Sequence, residues 1–374
     1  MGSYPQAGIE WLMDKTAFNI REFLPDGWIN DFLTKGVIMG VGSVLAFLPN
    51  ILILFFFLSL LSETQYLPRA AVIMDTYMHR IGLHGSSFIP LLMGFGCNVP
   101  AIMATRTIEK KSDRIITMLM IPYIPCSARI PTFLLFSGIF FPKHQVTVLM
   151  TLYFGGIVIG ILMALLFKKI FFHFSKKDYH IPLPAYQSPS FYKTLVNMWD
   201  AASEYLKKIG TVVLIAVIIV WALDYFPLKK GEIRNVSEPS YLEQFGRSIE
   251  PLMSPLGFDW KMSVSLVTGV TAKEFIISTL GVVYQAEDTG PGAAAVGVPT
   301  SLAKRIKEEK VFSKANALSF MIFALLYMPC VAAAMSIKKE SGSWKWAMLS
   351  IFTTIFVAWI AAFTAFRVGT LIWG

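Results

Sequence analysis

The amino-acid sequence predicts an all-α membrane protein that crosses the bilayer several times. Of its 374 residues, 55% are hydrophobic, and the mean hydropathy is +0.58, which excludes an ordinary soluble domain. In addition, apolar stretches long enough to cross about 30 Å of hydrocarbon recur along the chain. We expect about seven or eight transmembrane or re-entrant segments in two related halves with interrupted gate helices.

The charge and cysteine content exclude two other classes of protein. The net charge of +9 is typical of a membrane protein with basic cytoplasmic loops, and no basic run alternates with aromatic residues as a nucleic-acid site would require. Only three cysteines are present, all in apolar segments, which argues against a secreted disulfide framework. The expected partners therefore include the lipid bilayer and no nucleic acid.

Composition divides the chain into four parts. Residues 1–35 mix apolar and acidic side chains, as amphipathic helices on a membrane surface do. We interpret 36–172 as a first gate repeat and 209–372 as a second, with a polar loop at 285–314. Between the repeats, 173–208 is a basic linker that ends in an amphipathic helix.

Lysine and arginine predict the orientation of the loops. The basic residues concentrate in 105–114, 168–208 and 285–314, so all three loops are expected on the cytoplasmic side. The acidic excess in 1–35 places the N-terminus outside. With that topology, 86–104 re-enters the membrane rather than spanning it.

Breaks in four apolar segments are the main functional signal. Lipid cannot satisfy the backbone groups that glycine and proline free, so such breaks survive only where protein or water surrounds them. Transporters place substrate sites at helices interrupted in this way. The residues that define the breaks are Gly94, Gly96 and Pro100; Pro125; Gly269; and Pro329.

The breaks recur with one spacing, which predicts the internal repeat. Gly94 and Cys126 are 126−94 = 32 positions apart, and Gly269 and Cys330 are 330−269 = 61 apart. The loop 285–314 accounts for 30 of the 61, which leaves 31. Two related halves of this kind are expected to meet around one site.

All three cysteines, Cys97, Cys126 and Cys330, lie beside a break. A single buried cysteine commonly behaves as a small hydrophobic residue. Three at helix breaks favour a soft metal site, because thiolates prefer Fe(II), Cu(I) or Zn(II) to Na⁺ or Mg²⁺. Asn98 and Ser127 can add oxygen ligands. The five histidines are scattered and show no metal-ligand spacing.

Two charged residues, Lys273 and Glu274, lie within an apolar segment. A charge in hydrocarbon costs at least about 2.5–3.5 kcal/mol, so such residues usually line a pathway. The alternative is a structural ion pair with a snorkelling lysine. As gate residues, both are expected near Gly94–Pro100, with Glu274 offsetting a cation and Lys273 tethering a carbonyl or carboxylate. Arg129 is expected to pin its loop.

At these residues the chain resembles the membrane portion of the ferrous iron transport protein B (FeoB) family, in motif content and in motif order. The resemblance covers nearly the whole chain. Four motifs match. They are Gly94–Arg106 followed by Thr107-Ile108-Glu109; Cys126-Ser127-Ala128-Arg129-Ile130-Pro131; Gly269-Val270-Thr271-Ala272-Lys273-Glu274; and Leu326-Tyr327-Met328-Pro329-Cys330-Val331-Ala332. Pro125 and Ala333 depart from the family's usual serine and threonine.

The resemblance implies a permease that imports Fe(II) across the bacterial inner membrane. Fe²⁺ is then the transported substrate, no cofactor is permanently bound, and the chain is not itself an enzyme. No stretch fits the phosphate-binding pattern G-x-x-x-x-G-K-[ST], so a GTP-binding domain or protein is expected as a partner in trans. Either the GTP-binding unit is a separate chain, or this sequence is a fragment or degenerate copy. Small cytoplasmic Feo accessory proteins and a second copy of the chain are further partners.

Two alternative functions stay open at this point. A gate-type carrier of another solute, nucleoside-like or a different divalent metal, is compatible with broken helices. A non-transporting membrane scaffold is compatible with the missing GTP-binding motif.

Overall fold

The computed structural model describes residues 15–16, 30, 32–33, 38, 48–171, 189–205, 211–225, 240–284, 300–308 and 312–373. Most of the predicted surface segment 1–35, the linker residues 173–188 and the loop residues 285–299 lie outside this set. The regular structure of the described residues is entirely helical, so the all-α prediction is confirmed. The helices of the first part are α1 (Leu48–Glu63), α2 (Tyr66–Arg80), α3 (Phe88–Gly94), α4 (Asn98–Ala104), α5 (Lys111–Met120), α6 (Ile130–Phe140) and α7 (Gln145–Phe171).

The remaining helices follow in the same pattern. Two helices, α8 (Phe191–Tyr205) and α9 (Thr211–Tyr225), connect the two parts, and α8 lies along α1 because the Glu63 carboxylate accepts hydrogen bonds from Ser190 N–H and Asn197 Nδ2 at 3.0 and 3.2 Å. The last set is α10 (Tyr241–Met253), α11 (Trp260–Thr268), α12 (Phe275–Val283), α13 (Thr300–Glu308), α14 (Lys314–Leu326), α15 (Val331–Ser341) and α16 (Trp344–Trp373).

Four helical stretches of the described residues are long and apolar enough to cross a membrane. Two are interrupted, α5–α6 (Lys111–Phe140) and α14–α15 (Lys314–Ser341), and two are continuous, α7 and α16. The most apolar window is 72% buried in each interrupted stretch but only 22% buried in each continuous one. The interrupted helices therefore form the interior, and the continuous helices surround them.

Aromatic and ionic contacts show which helix ends lie together. Trp346 packs on Phe171 with ring centroids 5.6 Å apart, and Glu340 pairs with Arg106; we call this the Arg106 end. At the other end, Phe141 packs on Trp373 at 5.4 Å, and Phe140 packs on Phe312 at 6.1 Å; we call this the Phe312 end. The stretch α5–α6 thus runs from the Arg106 end to the Phe312 end, and α14–α15 runs the opposite way.

The two short helix pairs enter from opposite ends and return to where they began. The segment before α3 lies at the Arg106 end, where Lys168 Nζ donates to the Gly82 carbonyl, and α4 leads back to Arg106. The segment before α11 lies at the Phe312 end, where Asn316 Nδ2 donates to the Gly257 carbonyl at 2.7 Å. Beyond α12, Tyr284 packs near Phe312. Both pairs are re-entrant, as expected for 86–104.

The expected orientation of the basic loops is wrong for one of the three. The residues of 105–114 and the start of 168–208 lie at the Arg106 end, whereas Phe312 and Lys314, which close the loop 285–314, lie at the Phe312 end. These loops cannot all face one side of the membrane. The physical reason is that α14–α15 runs opposite to α5–α6, and this reversal depends on tertiary packing rather than on loop charge.

Candidate functional site

The first re-entrant pair and the first interrupted helix meet through their breaks. Helix α3 ends at Gly94 and α4 begins at Asn98, which leaves an extended Cys97 with φ −152° and ψ 131° between them. The Gly96 carbonyl, freed by this break, accepts hydrogen bonds from Ser127 N–H at 3.3 Å and from Ser127 Oγ at 2.8 Å. Backbone groups that lipid could not satisfy are therefore satisfied between the two breaks.

The second re-entrant pair meets the second interrupted helix through the same kind of bond. Val331 N–H donates to the Val270 carbonyl at 2.9 Å. Val331 directly follows Cys330, just as Ser127 directly follows Cys126. The matching bonds show that both pairs of breaks are joined in the same way.

Each cysteine immediately precedes a helix. Cys97 precedes α4, Cys330 precedes α15, and Cys126 precedes a 3-10 turn at Ser127–Arg129. All three thiols are free; Cys126 is buried, and Cys97 and Cys330 are partly exposed. Cys97 and Cys330 pack against the same hydrophobic cluster, and the Ser127–Gly96 hydrogen bonds hold the Cys126 break beside Cys97. The structure thus brings the three predicted thiols into one region.

The two predicted oxygen ligands lie beside these thiols. Asn98 is buried, and among the described residues its Oδ1 has no hydrogen-bond partner. An unsatisfied buried acceptor is costly unless a ligand or water meets it. The Ser127 hydroxyl donates its proton to Gly96, so its lone pairs remain available as acceptors.

Lys273 holds the second break through its ammonium group. Its side chain is only 3% exposed, and Nζ donates to the Met328 carbonyl at 2.6 Å while lying 3.3 Å from the centre of the Tyr327 ring. The expectation that Lys273 tethers a carbonyl agrees with this geometry. Cation–π contact with tyrosine further stabilises a desolvated ammonium group, by roughly 2 kcal/mol.

Glu274 is a carboxylate that the fold brings near the thiols. It interacts electrostatically with Cys97 and Cys330, so 269–274 lies at the thiol region and not on the lipid-facing perimeter. In the part of the chain that the structure describes, its carboxylate forms no ion pair within 4.0 Å, not even with neighbouring Lys273. A partly buried carboxylate without an ion-pair partner can offset the charge of a cation.

Arg129 acts on its own loop. Its guanidinium is almost fully buried and donates from Nη1 and Nη2 to the Pro122 carbonyl at 3.4 and 3.3 Å. This agrees with the predicted pinning role. Together with Lys273, it places two buried basic side chains beside the thiols.

Two of the predicted glycines pack against side chains of other segments, and the predicted prolines lie in or beside the breaks. A Cβ at Gly94 would lie 3.4 Å from Ile124, and one at Gly269 would overlap Ile276 and lie 2.6 Å from the Tyr327 hydroxyl. Pro100 is buried in the first turn of α4, and Pro125 and Pro329 each directly precede a cysteine. No single contact shows whether these positions move during gating, so their gate role stays a prediction.

Three aromatic residues of the site were not predicted from the sequence. Phe95 stacks on Tyr153 of α7 with ring centroids 6.5 Å apart, and Tyr153 interacts electrostatically with Cys126 and Arg129. Tyr327 covers Lys273. Tyr153 lies within an otherwise apolar helix, where a tyrosine has no local pattern that separates a site residue from a core residue. Tyr327 directly follows α14 inside a family motif, but the motif does not reveal its contact with Lys273.

The described residues contain no group of three or more histidine, cysteine, aspartate or glutamate side chains spaced to hold one metal ion. The thiols are therefore near one another without forming a closed cage.

The fold and the site together define an α-helical gate-type membrane protein, in which two re-entrant helix pairs meet two interrupted helices. Residues 44–140 and 206–344 match the family model of the gate domain, described as nucleoside recognition, and residues 149–200 match the C-terminal model of ferrous iron transport protein B. The chain belongs to the ferrous iron transport protein B family.

Curated relatives of known name extend over nearly the whole chain. An Fe(2+) transport protein A/Fe(2+) transporter FeoB fusion protein of Porphyromonas gingivalis is 44% identical over 99% of this chain and 48% of its own length. The Fe(2+) transporter FeoB of Staphylococcus aureus is 38% identical over 96% and 51%, and that of Campylobacter jejuni is 36% identical over 100% and 61%. The chain spans about half the length of these relatives. No solved structure matches it.

Proposed function

We propose that this chain conducts Fe(II) across the bacterial inner membrane as a multi-pass permease. The observation that carries the proposal is the meeting of three free thiols, each at a helix break, beside the unpaired Glu274 carboxylate. Thiol sulfur is a soft donor that suits Fe(II) better than Na⁺ or Mg²⁺. The names of the relatives as Fe(2+) transporters support this choice of substrate.

The donors available to the ion come from both halves of the chain. Cys97, Cys126, Asn98 and Ser127 belong to the first half, and Cys330 belongs to the second. Each thiol lies at the start of a helix or helical turn, beside backbone N–H groups that have no partner within the helix. Asn98 Oδ1 supplies a carbonyl oxygen that no described group occupies.

We further propose that 36–172 and 209–372 are inverted repeats that meet at this site. Three observations support the inversion. The stretches α5–α6 and α14–α15 run in opposite directions, and the re-entrant pairs enter from opposite ends. The hydrogen bonds Ser127–Gly96 and Val331–Val270 also match each other. Repeats of this kind let one half rock against the other and expose the site to each side in turn. Gly94, Gly96, Pro100, Pro125, Gly269 and Pro329 would then be the positions that deform.

A GTP-binding domain or protein is the proposed partner of the permease. The chain spans about half of each curated relative, which leaves room in those proteins for a further domain. The relative from P. gingivalis is named as a fusion with Fe(2+) transport protein A, which supports a small accessory protein as a second partner.

A nucleoside carrier is the second candidate, because the gate family model is described as nucleoside recognition. A nucleoside site needs hydrogen-bonding side chains and aromatic rings. The thiols and the unpaired carboxylate are donors that a metal ion uses, so Fe(II) remains the better fit.

The test is Fe(II) uptake into liposomes that contain the full chain together with its GTP-binding partner. We expect uptake that Mn(II) inhibits and nucleosides do not. The triple variant Cys97→Ser, Cys126→Ser and Cys330→Ser keeps the shape of each side chain and should abolish most of the uptake. Unchanged uptake in this variant would show that the thiols are not on the pathway, and inhibition by nucleosides alone would favour the second candidate.

A further inference from the structure

An ion-pair cluster around a buried carboxylate joins the two halves of the chain at the Arg106 end. The Glu340 side chain is 5% exposed. Arg106 donates to both of its oxygens, from Nε to Oε2 at 2.7 Å and from Nη2 to Oε1. Arg114 Nη2 donates to Glu340 Oε2 at 3.2 Å and to the Glu340 carbonyl at 2.9 Å. The hydrogen bond to Glu340 raises the pKa of the Arg106 guanidinium, which keeps it charged.

Two members of this cluster lie at the far ends of helices that begin at the thiols. Helix α4 follows Cys97 and leads through a 3-10 turn to Arg106, and α15 follows Cys330 and reaches Glu340 in its last turn. The two helices pack against each other in one hydrophobic cluster. At 1.5 Å per residue, each helical path spans roughly 15 Å, so a shift at the ion pair changes the spacing of the thiols.

The third member lies on the helix that leads to the remaining thiol. Arg114 is in the first turn of α5, and α5 ends just before the break that contains Cys126. Each thiol is therefore connected through a short stretch of chain to one residue of the cluster. Close packing lets a displacement at one end of such a stretch be felt at the other.

The cluster has room to open. A cavity of about 170 Å³ adjoins it and is lined by Arg114, Met118, Glu340 and Ser341, among others. Side chains at such a cavity can separate without disturbing the close-packed interior.

We propose that Glu340 is a positioning residue of the gate, which clamps Arg106 and Arg114 and thereby fixes the spacing of Cys97, Cys126 and Cys330. The clamp rests on the proposed function only in treating the thiol region as the gate. Opening of the gate toward the Arg106 end requires the clamp to release, because α4 and α15 belong to different halves.

The test measures how fast a small maleimide alkylates each thiol in the full chain, in metal-free buffer. Glu340→Gln removes the charge but keeps the shape, and we expect alkylation of Cys97 and Cys330 to become about tenfold faster. Arg106→Gln should have a similar effect. Combining the two should add little, because Arg106→Gln removes one of the two ion pairs that Glu340→Gln already removes.

Lys110→Gln is the matched control. Lys110 is 42% exposed, against 43% for Arg106, and pairs with Asp113 in its own turn. This variant removes one positive charge from the same end and should leave alkylation unchanged. If Glu340→Gln does not fold, Arg106→Gln still tests the clamp, because the Arg114–Glu340 bond remains.

Unchanged alkylation in a folded Glu340→Gln or Arg106→Gln variant, or additive effects of the two, would overturn the clamp. Metal-free labelling separates this result from the proposed function. If labelling accelerates but the wild-type chain never transports Fe(II), the iron proposal fails and the clamp stands. If the wild-type chain transports Fe(II) without a labelling change in the variants, the clamp fails alone.

Discussion

Two adjacent glycines of α7 provide a sharp test of how the first break is held. A Cβ at Gly156 would lie 2.9 Å from the Tyr123 carbonyl oxygen and 3.4 Å from Pro125 Cδ, whereas a Cβ at Gly155 would meet nothing within 4 Å. The Tyr123 carbonyl is backbone and cannot rotate away as a flexible side chain would. Gly156→Ala must therefore push α7 away from the break that precedes Cys126.

The magnitude follows from comparing Gly156→Ala with Gly155→Ala. Each substitution favours the helix by roughly 1 kcal/mol, and this effect cancels in the comparison. Overpacking a close contact costs about 1–3 kcal/mol, which applies to Gly156→Ala alone. We expect Gly156→Ala to be less stable than Gly155→Ala by that amount.

The assay is thermal unfolding of both variants in the same detergent, followed by Fe(II) uptake in liposomes. We expect the melting temperature to be lower for Gly156→Ala, and its uptake to fall because the Cys126 break has shifted. Equal melting temperatures and equal uptake would refute the argument that α7 holds this break by close backbone contact.

Two further predictions concern single side chains. Glu274→Gln should weaken Co(II) binding to the folded chain by about tenfold or more, because the variant has no carboxylate there to offset the ion's charge. Calorimetry measures the affinity, and an unchanged affinity would remove Glu274 from the site. Ser319→Ala should lower the free energy of unfolding by about 0.6–1.7 kcal/mol. The reason is that the Ser319 hydroxyl lies 3.0 Å from both the Leu256 and Ala362 carbonyls and so links α14 to other segments. Ser336→Ala is its control, because that hydroxyl donates only to Ala332 of its own helix, and an equal loss in both variants would contradict the prediction.

The sequence alone determined the helical fold and the position of its breaks. Glycine and proline inside apolar stretches act locally on backbone geometry and hydrogen bonding, so the interruptions at Gly94–Pro100, Pro125 and Pro329 could be read without a structure. The same locality made the cysteines conspicuous, since each directly follows or lies within a break. The carbonyl tether by Lys273 was also predictable in kind, because a buried ammonium group must find an acceptor.

Only the tertiary structure decided which segments face each other. The reversed direction of α14–α15 places Lys314 at the opposite end from Arg106, and loop charge did not reveal this because both ends carry basic residues. The clamp of Glu340 on Arg106 joins residues 234 positions apart, and although Arg106 lies in the first family motif, no local pattern marks Glu340 as its partner. Contacts of this kind depend on how distant helices pack, and packing is decided by the fit of whole surfaces rather than by neighbouring residues in the chain.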